Sequence, residues 1–453
     1  MTTHRIAYNV LDSVLRGGAY LNLALKAGLK DTDSLTASSV TAIVYTAVEN
    51  VKYTDYLISH YTKGRLHGSI RLILRMGIAE ILFMNTACYA VCDECVKLTK
   101  DIGKKELTGF VNAVLRRVIR ERDELPELPK DDSEYLQIKY GLPDFLADEY
   151  IREYGRSFTE EMLSGKFSLT CVRAQYPHTV DELTDKLIPN DPVMKGLPYR
   201  HGKLVSDALI LEKGGDIASS DLFKNGSMAV QSESAMLVCR ICKPIRGMRV
   251  LDACAAPGGK SAYLASLMQN DGEITAWELH ENRAELTRKT ISRLHADIVK
   301  CEQHDSTVLD ESLIDNMDLV LADVPCSGFG VGSKPDTYLN RTNEDIEEIR
   351  KIQQDILHAC SKYVRPGGGL VYSTCTISKR ENEDNAAWFL KTHPDFIPDE
   401  FSSLLPEEYS ERSKNGMLQL FPHLDGTDGF FIARFKRKQS QKSGCIEEIP
   451  DGK

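Results

Sequence analysis

The chain has 453 residues, of which 42% are hydrophobic and 27% charged, and a formal net charge of −10. Its length exceeds what one ordinary hydrophobic core organises, so about two to four domains are expected. No apolar run approaches the roughly 20 residues of a membrane helix, and the negative balance excludes a protein that coats nucleic acid indiscriminately.

The first residues interleave Arg5, Asn9, Asp12 and Arg16 with apolar ones, unlike the continuous apolar segment of a secretory signal, and a cytoplasmic location is expected. Residues 1–125 carry 17 Lys and Arg against 13 Asp and Glu, so positive potential concentrates there. Ile6, Val10, Leu11, Val14 and Leu15 share one helical face, and Phe110, Val111, Val114, Leu115 and Val118 share another. The spacing predicts an all-α domain of at least five helices, with Thr108 capping the last. A linker follows at "ERDELPELPKDDSEY", where Pro126, Pro129 and clustered charges break the periodicity.

Residues 126–236 read as linker plus a small α+β module, with a helix at "LPDFLADEYIREYG" and strands at "SLTCVRAQ" and "DALILEKGG". Over 237–438 strands and helices alternate: "MRVLDAC", "GEITAWEL", "MDLVLADV" and "GGGLVYSTC" are the strands, which predicts a largely parallel α/β sheet of Rossmann-like type. "MLQLFPHLDGTDGFFIARFKRK" predicts a closing hairpin with a Gly-Asp turn, and 439–453 a disordered tail. The 12 cysteines are scattered, so reduced thiols are expected. The pairs Cys92/Cys95 and Cys239/Cys242 lack a nearby His pair and read as small buried apolar residues, with no metal expected.

Ligands of such sheets bind beyond the carboxyl ends of the strands, where a glycine turn lets the backbone approach. "LDACAAPGGKSAYLASL" has that form: Leu251 ends a strand, Pro257 to Gly259 bend, and a helix from about Ser261 points its amino terminus at the ligand. The candidate cofactor set is Cys254, Ala255, Ala256, Pro257, Gly258, Gly259, Lys260, Glu278, Arg283, Asp305 and Asp323. Glu278 stands where a carboxylate accepts hydrogen bonds from ribose hydroxyls. A nicotinamide dinucleotide fits poorly, because G-x-G-x-x-G is absent. Cys326 in "DVPCSGFG" and Cys375 in "YSTCTIS" lie on the same rim, both flanked by hydroxyl residues, and these features leave open which sulfur attacks.

Together "DACAAPGGK", "DVPCSGFG", "YSTCT" with the following "ENE", and "DGFFIARF" resemble the motifs of the Nol1/Nop2/Sun family of RNA cytosine-5 methyltransferases, which use S-adenosylmethionine. The similarity runs from about Val230 to Arg434. Residues 1–125 are similar to the NusB domain in "RMGIAEILFMN" and "GFVNAVLRRVIRE". That pairing of domains resembles the branch of the family acting on a cytosine of 16S ribosomal RNA. The resemblance implies that the Cys375 thiolate adds to carbon 6 of the base, that Cys326 assists breakdown of the adduct, that Asp323 acts near N3, and that Lys260 adds positive charge. A single-stranded or flipped cytosine, a monomeric enzyme and an RNA-binding role for the module in 126–236 are expected with it.

Phe329, Phe430 and Phe431 are candidate apolar walls for the base, and Ala433–Lys438 and Arg116–Arg122 candidate phosphate contacts. Three positions depart from the family pattern: one basic residue, Lys334, where two are common; "VRAQ" around Arg173 in place of Arg-Val-Asn; and Gln231-Ser232 in place of Gln-Asp. The alternatives are the same chemistry on transfer RNA, or a non-catalytic RNA-binding or antitermination protein. The NusB-like segment argues against the first, and intact Cys326, Cys375 and Lys260 against the second.

Overall fold

Apolar residues at three- and four-residue spacing build the amino-terminal half of the computed structural model, which describes residues 1–165, 170–212, 215–331, 336–339 and 341–439. The chain divides into two units, Met1–Gly165 with Ser333–Asn343, and Lys166–Gly332 with Glu344–Lys453. Among the described residues the first unit holds ten helices: α1 (Thr3–Leu15), α2 (Leu21–Gly28), α3 (Ser34–Glu49), α4 (Val51–Tyr61), α5 (Gly68–Phe83), α6 (Cys88–Asp101), α7 (Thr108–Arg120), α8 (Asp132–Tyr140), α9 (Asp144–Tyr154) and α10 (Arg156–Ser164).

α1 buries Ile6, Val10, Leu11 and Val14, and Thr2 caps it by accepting from the Arg5 amide at 3.3 Å. α5 is buried on almost every side, as a central helix must be. A side chain at its Gly77 would meet Cys95 Sγ at 2.9 Å and Leu115 Cδ2 at 3.0 Å, so α6 and α7 approach closely there. Cys92 and Cys95 are accordingly buried in this core. Thr108 is not a cap: it is the first residue of α7, and its hydroxyl donates back to the Lys105 carbonyl at 2.8 Å. α8 to α10 fall within the first compact unit, whose main segment runs to Gly165. Lys52 on α4 illustrates the tie, donating to the Leu142 carbonyl between α8 and α9 at 2.5 Å.

The second unit begins with a small antiparallel sheet of β1 (Thr170–Ala174), β2 (Tyr199–His201), β3 (Ala208–Leu211) and β4 (Met228–Val230), ordered β2-β3-β1-β4. After α11 (Glu233–Cys242) come β5 (Arg249–Asp252), α12 (Gly259–Leu267), β6 (Glu273–Glu278), α13 (Glu281–Arg293), β7 (Val299–Gln303) and β8 (Met317–Asp323). α14 (Asn343–Tyr363), β9 (Val364–Thr374), α15 (Glu383–Thr392), β10 (Phe396–Pro398), β11 (Met417–Leu420) and β12 (Phe430–Arg437) complete the unit. Among the described residues these form an eight-stranded sheet, β10-β12-β9-β8-β5-β6-β7, with β11 also paired to β12. Strands β5 to β9 pair in parallel, and β12 pairs antiparallel to β9, β10 and β11.

Strand periodicity divides the core between two faces. Val250, Leu319 and Leu321 pack with α11 and α12 on one face, while Leu251, Val320 and Ala322 pack with α14 and α15 on the other. The predicted closing hairpin takes a different form. Residues 421–429, with a helical turn at Pro422–Asp425, join β11 to β12 in place of a tight Gly-Asp turn. The expected disordered tail, from residue 440 onward, and Lys334 lie outside the described residues. No described helix is long and apolar enough to cross a membrane.

Candidate active site

The strand order reverses between β5 and β8, since β5 continues to β6 and β7 while β8 continues to β9. A crevice opens beyond the carboxyl ends at such a switch point. The first wall is the loop from Cys254 to Gly259. Gly258 sits at φ +97°, and a side chain there would press on Thr287 of α13 at 3.1 Å, so a tight turn before α12 requires glycine. α12 begins at Gly259, two residues earlier than its sequence suggests, and β5 ends at Asp252, one residue later.

Glu278, at the end of β6, is 4% exposed. It accepts from the His280 amide at 3.1 Å and pairs with Arg283 at 3.3 Å. Arg283 also reaches the Ala256 carbonyl at 3.5 Å, tying the second strand end to the glycine loop. Asp305 is exposed on the same rim, and the Thr307 hydroxyl and amide lower its pKa. Asp252 was not singled out from the sequence, although it stands in the same quoted loop. Its carboxyl is fully buried, with Oδ2 accepting from Ser261 Oγ at 2.6 Å and Oδ1 lacking a well-formed hydrogen bond among the described residues. Burial raises its pKa to about 6.

The second wall carries the charged pair and the thiols. Lys260 Nζ donates to Asp323 Oδ2 at 2.6 Å, and Ser373 Oγ donates to Asp323 Oδ1 at 2.6 Å from the adjoining strand. Burial opposes the Lys260 charge, but the Asp323 carboxylate outweighs it and the lysine pKa rises. Cys326 Sγ and Cys375 Sγ are 3.2 Å apart, and the Cys375 amide donates to Cys326 Sγ at 3.3 Å. Both cysteines are half-buried. The contact with the Cys375 thiol, then burial, push the Cys326 thiol well above the usual cysteine range. Gly330 lets the loop after Cys326 cross residues 421–429 closely, with the Gly429 amide donating to the Gly330 carbonyl at 2.8 Å.

Phe329, Phe430 and Phe431 are all buried, so they do not line an open base pocket, although the Phe430 ring centre lies 5.3 Å from Lys260 Nζ. Arg434 and Arg437 pair with Asp399 and Asp395 at 2.9 Å and 3.1 Å, and Arg117 and Arg120 with Glu121 at 3.0 Å and 3.4 Å. Most cations proposed to meet phosphate are therefore already partnered. Arg173 is fully buried, bonded to Gln231 Oε1 at 2.7 Å and Gln175 Oε1 at 2.5 Å, and faces the Tyr263 ring at 4.4 Å. Periodicity shows none of this, because β1 is buried on both of its faces at that residue.

The family described as "16S rRNA methyltransferase RsmB/F" matches residues 240–436, and the "NusB family" matches residues 1–120. A probable ribosomal RNA small subunit methyltransferase B of Bacillus subtilis is 33% identical over 446 residues, covering 96% of this chain and 98% of the relative. The crystal structure of PH0851 superimposes with a TM-score of 0.76 at 24% identity, covering 95% of this chain and 98% of that one. NSun6 from Pyrococcus horikoshii with SFG gives a TM-score of 0.56 at 22% identity, covering 67% and 99%.

Proposed function

This chain belongs to the 16S rRNA methyltransferase RsmB/F family, and on that premise we propose that it methylates carbon 5 of a cytosine in 16S ribosomal RNA, using S-adenosylmethionine and a covalent adduct through Cys375. The specific target in this reading is cytosine 967. The observation that carries it is the pair of touching thiols, Cys326 and Cys375, on the rim that also holds the Lys260–Asp323 pair.

S-adenosylmethionine supplies an electrophilic methyl group on a sulfonium. The glycine loop, the α12 amino terminus, Glu278 and Asp305 fit such a group, being a close-approach turn, an anion-favouring helix end and two acceptors for hydroxyl or amino donors. The buried Asp252 oxygen without a well-formed hydrogen bond supports a polar ligand at the same strand end. NSun6 with SFG, an S-adenosylmethionine analogue, is in keeping with this choice.

Carbon 5 of cytosine is a weak nucleophile, and addition of the Cys375 thiolate to carbon 6 turns it enamine-like. Lys260 favours the thiolate by its charge, and Asp323 with Lys260 handles the proton at N3. After carbon 5 gains the methyl group it must lose its proton, and the Cys375–carbon 6 bond must break. Cys326 assists here. Its thiolate would accept the carbon 5 proton, a role supported by its 3.2 Å separation from Cys375 Sγ.

Bisulfite sequencing of 16S rRNA from a strain lacking this protein tests the target. One 5-methylcytosine should disappear, and persistence of every 16S site would sink the ribosomal assignment. Cys326→Ala should accumulate an RNA–protein adduct with cofactor present and Cys375→Ala none; the opposite pattern would reverse the roles.

A further inference from the structure

Each cysteine of the site has two chain neighbours, and one short segment, Glu381-Asn382, reaches three of the four directly and the fourth through Gln353. Glu381 is fully buried. Its Oε1 accepts from Ser327 Oγ at 2.6 Å, and its Oε2 from the Ser327 amide at 3.0 Å and Gln353 Nε2 at 2.9 Å. Gln353 donates in turn to the Pro325 carbonyl at 3.0 Å, so both neighbours of Cys326 are held. On the other loop, Thr376 Oγ1 lies 2.7 Å from Ser327 Oγ, Thr374 Oγ1 donates to Asn382 Oδ1 at 2.6 Å, and Asn382 Nδ2 donates to the Thr376 carbonyl at 3.0 Å. Both neighbours of Cys375 are held as well.

We infer that Glu381 and Asn382 are positioning residues that set the spacing of the two reactive thiols, a role that rests on the two-thiol reading above. An ordinary structural explanation would have Asn382 cap α15, which it immediately precedes, since asparagine is a favoured cap. Its side chain makes no capping hydrogen bond and is directed to the Cys375 turn instead. Glu381 has no cation within ion-pair distance among the described residues, so its burial is compensated chiefly by these neutral donors, with the charge of neighbouring Arg380 adding to them. A carboxyl kept there needs a job that an amide cannot do. It accepts from Ser327 Oγ, the Ser327 amide and Gln353 Nε2, with Thr376 Oγ1 a longer fourth donor at 3.5 Å, and a glutamine would set an amino group against at least one of them.

The test uses the full-length protein and Glu381→Gln, Ser327→Ala and the double variant. Diamide takes two electrons and two protons from a pair of thiols, becomes the corresponding hydrazine, and leaves a disulfide, so peptide mapping of the Cys326–Cys375 crosslink reads the spacing without methyl transfer. We expect the wild type to crosslink and Glu381→Gln to do so about tenfold more slowly, with kcat down about 100-fold and KM for RNA within about twofold. Ser327→Ala in the Glu381→Gln background should add no further loss, because both act through one link. Thr376→Val, which keeps side-chain volume, should slow crosslinking in the same direction and covers the case in which Glu381→Gln does not fold. Crosslinking at the wild-type rate in both variants, or additive losses in the double variant, would overturn the inference. Absence of methyl transfer by the wild type would sink the proposed function while leaving the crosslinking result intact.

Discussion

Gly330→Ala places a methyl group where the chain crosses itself beside the thiols. Its Cβ would lie 2.1 Å from the Gly429 carbonyl oxygen and 2.7 Å from the Gly429 carbonyl carbon. An unstrained carbon–oxygen contact is about 3.3 Å, so the two segments must separate by about 1 Å. Gly330 is also tied to the site, since its amide donates to the Cys375 carbonyl at 3.0 Å. Separation therefore moves the loops of Cys326 and Cys375 relative to each other. A displacement of about 1 Å at reacting groups costs about 100-fold in turnover, and overpacking of this kind about 1–3 kcal/mol in stability. Single-turnover methyl transfer and urea denaturation measure the two effects. Gly328→Ala provides the contrast, because Gly328 has φ +75° but open space around it, so it incurs backbone strain of about 1–2 kcal/mol without collision. Turnover of Gly330→Ala within twofold of wild type, in a folded protein, would refute the claim that this crossing sets the geometry of the thiols.

Other substitutions test the buried polar groups and the first unit. Asp252 holds its proton up to about pH 6 in the folded chain, whereas an unperturbed carboxyl releases it near 3.8. Its contribution is thus full below about pH 4 and lost as pH rises through about 6, an amount of about 3 kcal/mol. Asp252→Asn should flatten that part of the stability profile between pH 4 and 7, and an unchanged slope in urea midpoints would count against it. Arg173→Met leaves the Gln231 and Gln175 carbonyls without a donor and should cost about 3 kcal/mol, while the salt dependence of RNA binding stays the same because no phosphate contact is lost. A reduced salt slope would place Arg173 on RNA after all. Gly109, early in α7, has open space and an ordinary φ, so Gly109→Ala should raise thermal stability by about 0.5–1 kcal/mol in a calorimetric scan.

Features determined by neighbours in the chain are legible in the sequence itself. Alternation in "MDLVLADV", the three-four spacing around Ile6 and Val10, and the Pro-Gly-Gly bend after Leu251 state their own conformations, because strand, helix and turn preferences act over a few residues. The same locality explains why Glu278 and Asp323 could be placed at strand ends. The resemblance of the motifs added the chemistry, which no periodicity contains.

Tertiary structure decided what depends on residues far apart. The 3.2 Å contact of Cys326 with Cys375 spans 49 positions and exists because β8 and β9 are adjacent and parallel. Nothing beside Arg173 in the chain signals its surroundings, yet the packing of β1 against α12 buries it beneath Tyr263. Arg434 and Arg437 read as a basic stripe, yet acidic residues brought beside them by β12 pairing partner both. Glu381 carries no local signal for its role, since its ligands come from Ser327, Gln353 and Thr376 on three different segments. Backbone preference is a short-range property, whereas burial, charge pairing and the spacing of reactive groups are set only when distant segments close on one another.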